Sequence, residues 1–256
     1  MSLGFGVSLT FDVDGEAGLA GRPVAGGWED RLTGRSEARF GLVRGLPRVL
    51  ERLADHDAVA TFYVPGVVAR EAPSAILEIA AAGHEIAHHG FAHHAPPTLD
   101  AAGQRAEVED GMAALQELLG RRPVGYRAPA WELTPCTLAL LGEHGFAYDS
   151  SLMGDDRPYT LDGGLIELPV HWSLDDVPYF AYGPGIPHAP PAAIDAVARA
   201  WVAEHDRARD EDRHITFTMH PDVIGRGDRI TVLEQLLDRL EAPPITHSAA
   251  SHACVG

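Results

Sequence analysis

What the chain has little of narrows its role before any motif is read. Cysteine is scarce: Cys136 and Cys254 are the only 2 in 256 residues, far apart and in no CxxC pair. A disulfide framework is therefore not supported, and reduced thiols are the plain reading. No apolar run approaches the ~20 residues of a membrane-spanning helix. No basic, apolar leader with a small-residue cleavage site precedes the first strand-like run, so a cytoplasmic location is expected. Positive charge is outnumbered, with 20 Lys and Arg against 37 Asp and Glu and a formal net charge of -17. Such a chain repels nucleic acid and anionic membranes, and the charge itself serves solubility. Low-complexity linkers are also missing, so residues 1–256 are expected to form a single catalytic domain with one sizeable core.

What is present is a regular alternation of strand-like and helix-like segments. Apolar, β-rich runs fall at Gly6–Phe11, Ala58–Val64, Glu85–His88, Gly125–Arg127, Phe146–Asp149, Leu165–Val170 and His214–Met219, with a short candidate at Ile245–Thr246. Helical spacing of apolar residues marks Ser36–His56, Pro73–Ala82, Thr98–Leu119, the segment opened by Thr134-Pro135 and ended by Gly145, Pro191–Asp206 and Ile230–Leu240. This pattern predicts an α/β fold, a distorted (β/α) barrel of seven or eight parallel strands with outer helices. In such barrels the site lies at the C-terminal ends of the strands. Asp12 and Asp14, His89, Arg127, Asp149 and His220 all fall there. Two segments without clear periodicity, Gly15–Gly34 and His171–Asp176, are expected loops beside that site.

The residues at those strand ends suit one chemistry. Asp12 and Asp14, one residue apart, can converge on a cation. The run Gly83-His84-Glu85-Ile86-Ala87-His88-His89-Gly90-Phe91-Ala92-His93-His94 offers an i, i+4 histidine pair, which would share one helical face. His89 and His93 have that spacing, and His88 with His94, six residues apart, is a competing pair of imidazoles. One carboxylate with two imidazoles is a common facial set for a divalent metal with open coordination positions. The other carboxylate is then free to act as a base. Arg127, in Gly125-Tyr126-Arg127-Ala128-Pro129-Ala130-Trp131, can hold a carboxylate ionised. His220, at the mouth of an apolar strand, suits a general acid.

The ordered set Thr10-Phe11-Asp12-Val13-Asp14-Gly15-Glu16, the histidine-rich run, Gly125–Trp131, Tyr148-Asp149-Ser150-Ser151 and Thr218-Met219-His220-Pro221 resembles the polysaccharide deacetylases, carbohydrate esterase family four. Phe40-Gly41-Leu42-Val43-Arg44-Gly45-Leu46-Pro47-Arg48 and Ile224-Gly225-Arg226 resemble its branch of peptidoglycan deacetylase-like proteins, cyclic imide hydrolases and allantoinases. The resemblance implies Asp12 as general base, and Asp14, His89 and His93 as ligands of a divalent metal, usually zinc. It implies Arg127 as the residue orienting the base and His220 as general acid. Asp149 is implied as the carboxylate orienting His220, with Asp176 as rival. Ala130 stands where the family often has Tyr; its backbone N–H remains a candidate oxyanion donor.

These readings converge on metal-dependent hydrolysis of a non-peptide C–N bond, the removal of N-acetyl groups from an amino sugar or short oligosaccharide. A cyclic imide or ureide amidohydrolase of the same fold is the alternative, and a non-catalytic metal- or sugar-binding module the second. Trp28, Ala130, Trp131 and Trp172 are the candidate substrate walls. A small-molecule or short amino-sugar substrate is expected, with no nucleic acid or membrane partner and with a homo-oligomer implied by the branch.

Overall fold

The computed structural model describes residues 4–20, 24, 27–28, 30–183 and 192–255. Part of the Gly15–Gly34 loop, and Pro191 at the expected start of a helix, lie outside the described residues. The sheet has eight strands: β1 (Gly6–Asp12), β2 (Thr61–Val64), β3 (Glu85–His88), β4 (Gly125–Tyr126), β5 (Tyr148–Asp149), β6 (Tyr159–Thr160), β7 (Ile166–Glu167) and β8 (His214–Met219). Their order is β6-β7-β5-β4-β3-β2-β1-β8, and the sheet curls into a half-barrel with helices around it. All neighbouring pairs run parallel except β6 and β7. The distorted (β/α) barrel is therefore present, with seven parallel strands and one that folds back. No helix among the described residues is long and apolar enough to cross a membrane.

β1 shows how the sequence builds this shape. Side chains alternate between the two faces of a strand. Val7, Leu9 and Phe11 join the large apolar cluster with Leu46, Leu53, Trp201, Leu233 and Leu236. Burying each such side chain is worth about 1.5–3 kcal/mol. Ser8, Thr10 and Asp12 share the opposite face, where the Thr10 hydroxyl lies 3.1 Å from that of Thr218 on β8. β8 repeats the pattern: Ile215, Phe217 and Met219 pack outward, while Thr216 and Thr218 bond to polar groups of the interior. A strand buried on both faces can thus carry polar residues at every second position, provided the interior supplies partners.

Two of the helices start at side-chain caps. Asp100 accepts from Gly103 N at the start of Ala101–Leu119, and Thr134 accepts from Thr137 N at the start of Pro135–Glu143. Three expectations change. Ser36–His56 is not one helix but Leu32–Phe40, a π turn at Gly41–Gly45, and Leu46–Asp55. Ile245–Thr246 is not a strand: Ile245 N donates to Val7 O at 2.9 Å, and the helix His247–Val255 follows at once. The helix expected at Pro191–Asp206 is observed at Ile194–Asp210.

Candidate metal centre and active site

β1 ends in Asp12, which is 2% exposed. Its Oδ1 accepts a 2.7 Å hydrogen bond from Arg127 Nη1. Arg127 follows β4 and is wholly buried. It also donates to Thr10 Oγ1 at 3.0 Å, to the Ser150 carbonyl at 2.9 Å and to Ser150 Oγ at 3.0 Å. Its guanidinium carbon lies 4.0 Å from the centre of the Tyr63 ring. A buried guanidinium is tolerable only when its charge and N–H groups are matched in this way. Burial pushes the Asp12 carboxyl up, but the Arg127 guanidinium first, with the neighbouring imidazoles, outweighs it and leaves the group below its ordinary value. Asp12 is therefore a carboxylate at neutral pH.

Asp14 lies two residues on. Its Oδ1 is 3.5 Å from His89 Nε2, and its Oδ2 is 3.4 Å from His93 Nε2. One ligand atom from each of Asp14, His89 and His93 falls within 4.8 Å of the others. His89 Nδ1 is 2.8 Å from the Arg127 carbonyl. A carbonyl only accepts, so Nδ1 carries the proton and Nε2 presents its lone pair toward Asp14. Burial, partly offset by Asp12 and Asp14, lowers the His89 value and keeps the ring neutral. A carboxylate oxygen and two neutral imidazole nitrogens, in one cluster beside an ionised carboxylate, fit a divalent cation well.

The histidine pair is not on a helix. Gly90 and His93 both have positive φ, 73° and 62°. These left-handed residues fold the loop so that the His89 and His93 rings sit 4.9 Å apart between centroids. Glu107, on helix Ala101–Leu119, accepts from Phe91 N and Ala92 N and pins the loop from below. The competing pair is otherwise engaged. His88 is buried, its Nε2 2.9 Å from the Val108 carbonyl and its Nδ1 accepting from Gly90 N. His94 Nδ1 is 2.9 Å from Glu107.

His220, just after β8, has its Nε2 3.9 Å from Asp12 Oδ2. Its Nδ1 is 2.8 Å from Asp176 Oδ1, and its backbone N–H donates to Asp176 Oδ2 at 3.0 Å. Asp175 Oδ1 is 3.6 Å from the same Nδ1. Burial pushes the imidazole down, but Asp176, Asp175 and Asp12 lift it well above the ordinary histidine value. His220 is thus protonated at neutral pH. The expected orienter, Asp149, is not the partner of Nδ1. Asp149 accepts from Ser151 Oγ, which in turn accepts from Ala128 N, so it supports the Ala128–Trp131 turn instead. Asp149 closes β5, whereas Asp176 lies between the 3-10 turn Trp172–Leu174 and the helix Val177–Phe180, and sequence alone does not say which carboxylate reaches the histidine.

In that turn Ala130 and Trp131 both have φ of 56°. Two consecutive non-glycine residues in the left-handed region cost roughly 1–3 kcal/mol each, which is characteristic of functional turns. Trp131 stacks on Trp172, with ring centroids 4.4 Å apart and planes at 23°. Trp131 is 7% exposed and Trp172 45%, so the pair forms a wall with one open face. Trp28 lies against Gly34. Sequence reasoning missed Thr10, Tyr63, Glu107 and the serines bonded to Arg127 and Ala128. Ser150 and Ser151 stood in a noticed motif; Glu107 was legible only as an acidic residue beside the apolar stripe of Val108 and Leu115.

Known proteins share this sequence pattern and this fold. The sequence-family profile described as polysaccharide deacetylase matches residues 38–148. A peptidoglycan deacetylase of Helicobacter pylori is 28% identical over 91% of this chain and 89% of its own. A crystal structure from Mycobacterium smegmatis, provisionally described as a polysaccharide deacetylase, is 36% identical; it covers 100% of this chain and 92% of its own, with a TM-score of 0.91. The crystal structure of an allantoinase, PuuE, has a TM-score of 0.84 at 22% identity, over 97% of this chain and 89% of its own, and shares the fold. On its profile match, its full-length relatives and its curled barrel, this chain belongs to the polysaccharide deacetylase family.

Proposed function

We propose that the protein hydrolyses the acetamide of an N-acetylated amino sugar or short oligosaccharide, with Asp14, His89 and His93 holding a divalent cation, zinc first among candidates. The peptidoglycan deacetylase relative supports the substrate class. The observation that carries the reading is the position of one oxygen: Asp12 Oδ2 lies 3.7 Å from His89 Nε2 and 3.9 Å from His220 Nε2. A base carboxylate therefore stands between the ligand cluster and the protonated histidine. When bound, the cation supplies Lewis acidity toward water and the amide carbonyl.

The chain's own residues do the rest. Asp12, kept ionised by Arg127, takes a proton from the attacking water. The backbone N–H of Ala130, in the strained Ala128–Trp131 turn, is a fixed donor for charge developing on the carbonyl oxygen. His220, held by Asp176 through Nδ1, gives its Nε2 proton to the departing nitrogen. Acetate and a free amine result. The Trp131–Trp172 wall offers an aromatic face to a sugar ring.

The same proton movements would open a cyclic imide, and the close Trp131–Trp172 stack favours a ring-sized substrate as the second reading. A panel of metal-loaded assays decides: N-acetyl-chitooligosaccharides against succinimide, hydantoin and allantoin. Acetate release from the oligosaccharides alone is expected. Turnover confined to the rings would replace the first reading with the second. Stoichiometric metal with no turnover on the whole panel would point to a binding module.

A further inference from the structure

The motif Phe40–Arg48 has no part in the proton movements, yet it touches both loops that carry them. Residues Gly41–Gly45 form a π turn, closed by Leu46 N–H donating to the Gly41 carbonyl. Such one-turn insertions are frequent at functional sites. The turn packs backbone to backbone on the segment after His220. A methyl group added at Gly45 would fall onto the Pro221 carbonyl oxygen, and one at Gly225 onto the Gly45 Cα. One at Gly41 would come 2.9 Å from Asp222 Cβ and 3.0 Å from its backbone nitrogen.

Two arginines clasp the contact from opposite sides. Arg48, beyond the turn, donates to the Gly225 carbonyl at 2.8 Å. Arg226 donates to the Glu37 carbonyl at 3.3 Å, and its guanidinium lies 4.1 Å from the Phe40 ring centre. On its other side the same turn presents Leu42 to Gly15, where an added Cβ would meet Leu42 Cδ1 at 3.2 Å. Gly15 follows Asp14 directly. β1 and β8 are neighbours, with Phe11 paired to Met219. One short turn thus bears on the exits of both strands.

We infer that the Gly41–Gly45 π turn is a positioning element that sets His220 relative to Asp12 and Asp14, with Gly45 and Gly225 as its contact points. Glycine is required there because only hydrogen leaves room for the two backbones to meet. Any side chain pushes Pro221, and with it the imidazole, away from Asp12. Arg48 and Arg226 hold the contact closed. This rests on the reading of His220 as the acid and of Asp12 as the base.

The test compares wild type, Gly45→Ala and Arg48→Met, each loaded with zinc. Metal content, the Nδ1–H proton resonance of His220 and kcat with KM are measured. Gly45→Ala should keep its metal, shift the His220 resonance and lose at least ~10-fold in kcat, since misplacement of about 1 Å can cost 10²-fold. Its KM should stay within about twofold, because the loss falls on the transition state. Arg48→Met adds no bulk and should show the same pattern more weakly; it decides the matter if Gly45→Ala does not fold. A folded variant with the wild-type His220 resonance and kcat would overturn the inference. A wild type inactive on every amide would instead defeat the functional reading, while the resonance would still report on positioning.

Discussion

Asp12 and Asp14 have the same intrinsic chemistry and stand one residue apart, yet the fold gives them different partners. Asp12 faces the guanidinium of Arg127; Asp14 faces two imidazoles. Asp12→Asn should therefore leave metal content near wild type and lower kcat by about 10²–10⁴-fold, the usual worth of a general acid or base. Metal analysis beside steady-state kinetics checks this, and a variant with full kcat would assign the proton elsewhere. His220 must be protonated to act, and its value lies well above the ordinary 6.5 because Asp176 stabilises the cation against burial. The basic limb of the pH–rate profile should accordingly lie above pH 6.5. Asp176→Asn should move that limb down, whereas Asp149→Asn should leave it in place. A shift with Asp149→Asn alone would restore the original assignment. Residue types and order made the base, ligands, arginine and histidine legible in sequence. The orienting carboxylate was not, because Asp149 stands in a motif at a strand end while Asp176 lies in a loop whose three-dimensional path the sequence does not reveal.

At the scale of elements, the 88–94 loop is where sequence periodicity misleads. An i, i+4 spacing brings side chains together on a helix, but here the same pair meets through left-handed turns at Gly90 and His93. Gly90 has φ of 73°, and a Cβ on it would lie 2.8 Å from Glu107 Oε2. Gly90→Ala should cost roughly 1–3 kcal/mol of backbone strain. It should also weaken metal binding, since the loop that carries both histidines must shift; Glu107→Gln should do so less. Metal titration of the two variants measures the effect, and unchanged affinity in Gly90→Ala would show that the loop is not what sets the ligands. Strand positions were read well because polar and apolar residues alternate along β1 and β8. The π turn was hidden, since an inserted residue leaves helical spacing on either side intact.

Beside its large apolar core the molecule buries many polar groups, several histidines among them. His214 is buried with neither ring nitrogen hydrogen-bonded, and burial lowers its value from 6.5 to about 4. His88 is lowered, again by burial, to about 3. Both folded values lie below the unfolded one, so the unfolded chain takes up protons first as the solution is acidified. Their stabilising effect is complete above pH 6.5 and is lost as pH falls through about 4 and then about 3. For His214 alone this amounts to roughly 3 kcal/mol, at 1.36 kcal/mol per unit. The thermal midpoint should fall steeply between pH 6.5 and 4, and His214→Leu should flatten that fall; an equally steep fall in the variant would place the acid sensitivity in other groups. Barrel class and strand order along the chain were legible from the alternation of segments, whereas the reversed β6 and the helix His247–Val255 were too short or too weakly patterned to stand out. The central claim is that Asp14, His89 and His93 form one metal site in this barrel. Zinc titration by calorimetry of the wild type beside a variant carrying both His89→Ala and His93→Ala tests it most directly. One zinc per chain in the wild type and none in the variant is the predicted result; stoichiometric binding by the variant would contradict it.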